Sequence, residues 1–371
     1  MIYTLGQTLL YVSICILLGH FILQLIPIDK KPRVYMPTSV LMTSLIAITV
    51  FSYFPALDII LYLKDRVGWT DALLSVTFVS SVGQVWILIT LICIILGFIS
   101  LIHEKKKGVF YHPQGKSISI IAMMFILLLV ILICWTSHAA SISKSIGFIS
   151  QTVHFVCVTV WVGIMLVIGW WGQEAKHFRS FLTWYHPVAT VCVVLIVAAG
   201  FGLMKVVNSF EAYPSTWAIS YGQSLLIKHL LIIPLFAFAF INGFLMKRRL
   251  SSKSITNPYP WMRAESIIII LILTATAALS QQAPPHDIHS VLSHEGPSPL
   301  FTLFHQGVVQ SDIPLTFGFN VTSILLFVIA IALLVSSVVS FKRDYSSLVS
   351  LSASVLFVIT SYSAIMLSIT Y

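Results

Sequence analysis

The residues best suited to hold a ligand lie between Cys134 and Met165. His154 is followed in one apolar run by Cys157, Trp161 and Met165, at offsets of 3, 7 and 11. On a helix of 3.6 residues per turn these offsets keep imidazole, thiol, indole and thioether within one stripe. His138 precedes the run in a short polar segment, four residues after Cys134. Imidazole, thiolate and thioether together favour copper, cuprous more than cupric, whereas magnesium and calcium require oxygen donors. Each of these residues also has a packing role open to it. Cysteine is among the commonest buried small residues, methionine fills cores, and Trp161 suits packing better than ligation.

A second group of donors follows Gln282, where the chain runs A-P-P-H-D-I-H-S-V-L-S-H-E-G-P without Lys or Arg. His286 and His289 are three residues apart, so one helical turn brings both imidazoles to one side, with His294 close by. The prolines prevent one long helix, although Asp287 to Leu292 has room for a turn or two. Such a segment suits metal capture, or is a solvated loop that binds metal only adventitiously. Lys228 and His229 sit inside another apolar run. Lys228 is expected to snorkel to the surface, or to act as a fixed positive charge. Glu265 is expected to pair with Arg263 at an interface, with proton acceptance or ion release as the alternative.

The elements that must position these groups are membrane helices. Of 371 residues, 58% are hydrophobic and 9% charged, and mean hydropathy is +0.98; no polar-surfaced soluble domain fits these totals. Runs of about 20 apolar residues predict ten spans, at roughly 5–26, 37–63, 71–102, 117–136, 148–171, 180–207, 222–246, 263–282, 318–341 and 345–370. The fold expected is therefore an all-α, polytopic membrane bundle. The first run is read as a retained span, because no basic region or small-residue cleavage site accompanies it.

Lys and Arg fix the expected orientation. Sixteen of the 21 fall in one set of alternate loops, from Lys30, Lys31 and Arg33 through to Lys342 and Arg343. That set is cytoplasmic by the positive-inside rule, which puts both termini outside. His138, His154, His229 and the histidines after Gln282 then lie toward the outer face. The net charge of +9 is thus loop charge in a cytoplasmic-membrane protein, and no nucleic-acid partner is expected. The five cysteines are scattered singly without a C-x-x-C pair, which supports neither a disulfide framework nor a zinc knuckle. No phosphate loop, H-E-x-x-H or G-x-S-x-G occurs, so transport or electron transfer is favoured over an enzyme.

Five pieces in order carry a family resemblance: S-H-A-A at 137–140, H-F-V-C-V-T-V-W-V-G at 154–163, Phe181 through Gly200, S-Y-G-Q-S-L-L-I-K at 220–228 with Asn242 beyond it, and R-A-E at 263–265. Over about 137–285 the chain resembles the CopD family of copper-resistance and copper-transport membrane proteins, including YcnJ-like importers. Ile164 departs from the family's W-x-G-G pattern. The resemblance implies copper movement across the cytoplasmic membrane. It supports His138 and His154 as copper-handling residues and marks Trp161, Lys228 and Glu265 as pattern positions without assigned roles. Relatives often work with a CopC-like copper-binding domain, fused or separate; none is fused here, so the resemblance implies either an external CopC-like donor or the histidine-rich loop in its place.

The expected organisation is N-terminal spans over 1–136, a CopD-like core over 137–285, a histidine-rich extracytoplasmic loop over 286–317 and a helix pair over 318–371. The expected function is copper transport, inward, in contact with membrane lipid. A haem-binding electron carrier is the alternative, with His154 and His229 as an outer pair and His20 and His186 as an inner one. A copper sensor that docks an external copper protein is a third reading.

Overall fold

A bilayer offers no partners to backbone N–H and C=O groups, so long apolar runs satisfy them internally as helices. The computed structural model describes residues 2–105, 113–207, 213–251, 257–283, 285, 288–305 and 315–370. Ten candidate spans among them are long and apolar enough to cross a membrane. The protein is an all-α polytopic membrane protein.

In order, the helices are α1 (Ile2–Leu25), α2 (Thr38–Phe51), α3 (Phe54–Val67), α4 (Trp69–Leu74), α5 (Ser81–Lys105), α6 (Pro113–Trp135), α7 (His138–Ile142) and α8 (Ile146–Trp171). They continue as α9 (Phe178–Val207), α10 (Ser220–Phe240), α11 (Met246–Ser251), α12 (Tyr259–Leu279), α13 (Ile288–Glu295), α14 (Pro299–Thr302), α15 (Val321–Lys342) and α16 (Ser347–Leu367). By packing the chain divides into two units, Met1–Val206 and Val207–Tyr371. This division falls inside the 137–285 segment.

In the first unit α1 and α8 form the core. A Cβ built on Gly19 would lie 2.1 Å from the Gly163 carbonyl oxygen, and one on Gly163 would lie 2.3 Å from that of Cys15. Only glycine at both positions lets the two backbones approach this closely, the small-residue route to tight helix packing in membranes. Ile14, Leu17, Leu18 and Phe21 of α1, with Val162 and Ile164 to Ile168 of α8, are buried. Ile164, which interrupts the glycine pair of the family pattern, is thus a core side chain.

Two of the expected spans are interrupted. The run predicted at 37–63 breaks at Ser52 and Tyr53 into α2 and α3, because Pro55 lacks an N–H and fits the first turn of a new helix. The run predicted at 71–102 begins with α4 and a π-turn over Ser75–Val79. Ser80 then turns extended (φ −72°, ψ 149°) before α5 starts. Ala56, Ile60, Ala72 and Val76 join α3, α4 and the π-turn in a small core of their own. Tyr53 Oη and Thr77 Oγ1, 2.9 Å apart, close it.

In the second unit α10 packs on α12 and α16, and α15 on α16. The last pair meets along serines, with Ser337 Oγ 2.7 Å from Ser350 Oγ and 3.0 Å from Ser354 Oγ. Gln223 of α10 donates to the Trp217 carbonyl and accepts from the Tyr362 hydroxyl of α16. A two-residue antiparallel ribbon, β1 (Thr316–Phe317) with β2 (Ile369–Thr370), ties the chain end to the segment entering α15.

Candidate functional site

The expected stripe forms on α8. His154 is half-buried, and Cys157, Trp161 and Met165 are buried at 8%, 7% and 1% exposure. His154 Nδ1 lies 3.1 Å from the Ile196 carbonyl of α9. A carbonyl only accepts, so Nδ1 carries the proton and Nε2 the lone pair, the tautomer that a metal-ligating imidazole needs. Farther along, the Tyr185 hydroxyl of α9 donates to the Trp161 carbonyl at 3.1 Å.

Cys157 faces Cys192 of α9. Cys192 is the residue that sequence reasoning missed. Its position in an apolar run gave no sign of which neighbour it would face. Cys134 is fully buried at the end of α6.

His138 is the first residue of α7 and is exposed. Ser137 caps this helix by accepting from Ala140 N at 3.4 Å. Gly147 lets α7 lie on the start of α8, since a Cβ there would stand 1.9 Å from the Ala139 carbonyl oxygen. Among the later histidines, His286 lies outside the described residues. His289 and His294 are exposed on α13, where an offset of five residues turns them about 140° apart. His305 Nε2 donates to the Met366 carbonyl at 2.9 Å. Among the described residues no group of three or more His, Cys, Asp or Glu is gathered as a metal cage.

The second unit holds a different pairing. Asn242, in a π-turn over Ile241–Leu245 that follows α10, donates through Nδ2 to Glu265 Oε2 of α12 at 2.7 Å and to the Trp261 carbonyl at 3.1 Å. Glu265 and Asn242 are 4% and 7% exposed, and Asn242 Oδ1 is buried without a partner among the described residues. The expected interfacial pair of Glu265 with Arg263 gives way to this buried one, because the helix turns Arg263 outward while Glu265 faces α10. Single-turn π-bulges of this kind are frequent at functional sites. Lys228 is half-buried. His229 Nδ1 lies 2.7 Å from the Tyr213 hydroxyl, and burial pushes that phenol up to about 12, so it keeps its proton.

Of the inner histidines suggested as a haem pair, His20 is buried in α1 at 7% exposure and His186 is exposed on α9.

Residues 179–279, from the start of α9 to the end of α12, match the family model for CopD, copper resistance protein D. That segment is similar to CopD proteins. No curated protein sequence matches it, and no solved structure does. The matched segment contains Cys192, Lys228, His229, Asn242 and Glu265. His138, His154, Cys134, Cys157 and Met165 precede it, although His154 and Cys157 touch it through α9.

Proposed function

We propose that this chain carries copper inward across the cytoplasmic membrane, with the ion cuprous in transit. The observation that carries the reading is the CopD match over α9 to α12, in a protein of ten candidate spans with soft donors stacked along α8. Basic residues in alternate loops favour an arrangement with both termini outside. His286, His289 and His294 then collect the ion, alone or from an external CopC-like donor. His138 and His154 receive it, and Met165 continues the soft-donor stripe inward. Cys134 and Cys157 supply thiols along this route, and the 137–285 segment is its core.

Replacing His138 and His154 together with Ala tests the reading. Copper accumulation in cells is expected to fall to that of cells lacking the protein, with membrane insertion intact. Unchanged accumulation would overturn the assignment. The purified protein is expected to show no Soret band; an intense one would favour the haem-binding electron carrier.

A further inference from the structure

The two thiols on α8 and α9 form a site by themselves. Four pairings join these helices: Ser150 Oγ lies against Gly202, His154 bonds to Ile196, Cys157 meets Cys192, and Trp161 accepts from Tyr185. The numbers rise on α8 as they fall on α9, so the pairings lie along one antiparallel seam. Cys157 and Cys192 are opposed at its middle, both unoxidised and at most 8% exposed. Cysteine often packs as a small apolar residue. Here, however, the bonds of His154 to Ile196 and of Tyr185 to Trp161 set two thiols opposite one another across a helix interface, and one turn from Cys157 stands an imidazole held in its ligating tautomer.

Hard cations need oxygen, and a closed zinc site needs four donors. Among the described residues no three His, Cys, Asp or Glu are gathered here at once, so two donors at a time are what the site offers. A soft monovalent cation that two sulfurs can satisfy fits best, and thiolate selects cuprous copper.

We propose that Cys157 and Cys192 clasp a cuprous ion between α8 and α9, with His154 as the donor that exchanges with one of them. The proposal rests on the copper reading above and adds the place where the ion pauses. As each Cu–S bond forms, its thiol releases one proton, so loading frees two protons and leaves a bis-thiolate complex of charge −1. Copper stays cuprous and no electron moves. Exchange of one thiolate for the neutral His154 imidazole returns a proton to that sulfur and makes the complex neutral. A neutral complex is the less costly one to hold within a membrane.

The test uses the full-length protein in detergent, as wild type, Cys157→Ser, Cys192→Ser and, as control, Cys93→Ser of α5, each titrated with cuprous ion against a coloured cuprous chelator. Wild type and Cys93→Ser are expected to hold one ion with a thiolate-to-copper charge-transfer band in the ultraviolet. Cys157→Ser and Cys192→Ser are expected to lose the band and to bind at least about 100-fold more weakly, the upper range for disturbing a metal site. On wild type alone, cuprous ion is expected to shield Cys157 and Cys192 from a maleimide and to leave Cys93 labelling unchanged, a readout that needs no folded variant.

Equal binding by Cys192→Ser and wild type, or labelling of the pair indifferent to copper, would overturn the site. Recovery of the pair as a disulfide that cuprous ion leaves intact would do so as well. Cellular accumulation separates the two claims. Retained uptake with an inert pair removes the site and leaves transport standing. Absent uptake with a copper-loaded pair removes transport and leaves the site.

Discussion

The amide of Asn242 donates to Glu265 Oε2 across 2.7 Å, joining the π-turn after α10 to α12. The bond also holds Asn242 so that Nδ2 reaches the Trp261 carbonyl. Both side chains are buried, so neither has water to replace its partner. Hydrogen bonds between membrane helices contribute modestly, but a buried acidic group stripped of its donor costs more.

Asn242→Ala is therefore expected to destabilise the protein by about 1–2 kcal/mol. Glu265→Gln keeps a carbonyl oxygen to accept from Asn242 and is expected to cost less. Thermal unfolding in detergent measures both. Equal stability of Asn242→Ala and wild type would show that the bond contributes nothing to α10–α12 packing.

The α1–α8 crossing gives a second expectation. Gly163→Val directs a side chain into the Cys15 carbonyl, where a Cβ alone already stands 2.3 Å away. Backbone has to move, and overpacking of this kind costs typically about 1–3 kcal/mol. Gly200→Ala is the control, since a Cβ there meets nothing within 4 Å. Unfolding midpoints compare the two, and an unaffected Gly163→Val would mean that the helices are farther apart than described.

Lys31, in the segment after α1, supplies a pH dependence. Burial lowers its ammonium from 10.5 to about 8, and Nζ donates to the Leu23 carbonyl. Between these values the unfolded chain binds a proton that the folded chain lacks, so stability rises with pH across that window. Below pH 8 both states are protonated and the contribution is flat. Unfolding midpoints from pH 7 to 10, taken as wild type minus Lys31→Met, are expected to rise. A flat or falling difference would show that Lys31 is solvated in the folded protein.

Much of the fold was legible because a bilayer imposes one rule on the backbone. Runs such as 117–136 and 148–171 announce α6 to within four residues and α8 to within two. The break at Ser52 was also written in the chain, since Pro55 restricts where a helix can continue, but two short apolar helices in succession have the composition of one long span. The His154, Cys157, Trp161 and Met165 stripe was legible because it lies on one helix. Cys192 and the Asn242–Glu265 bond were not, because each depends on the rotation of one helix against another, which no local period records. Asn242 and Glu265 were visible as members of a family pattern, yet nothing in the pattern joins position 242 to position 265.

Copper flux into sealed vesicles containing only the purified protein tests the central claim most directly. The vesicles enclose a cuprous indicator and receive cuprous ion outside, with wild type compared to the His138→Ala/His154→Ala protein at equal, matched orientation. Saturable influx through wild type, falling to the rate of protein-free vesicles in the double variant, is the predicted result. Influx at the wild-type rate in the variant, or none through wild type, would contradict the account.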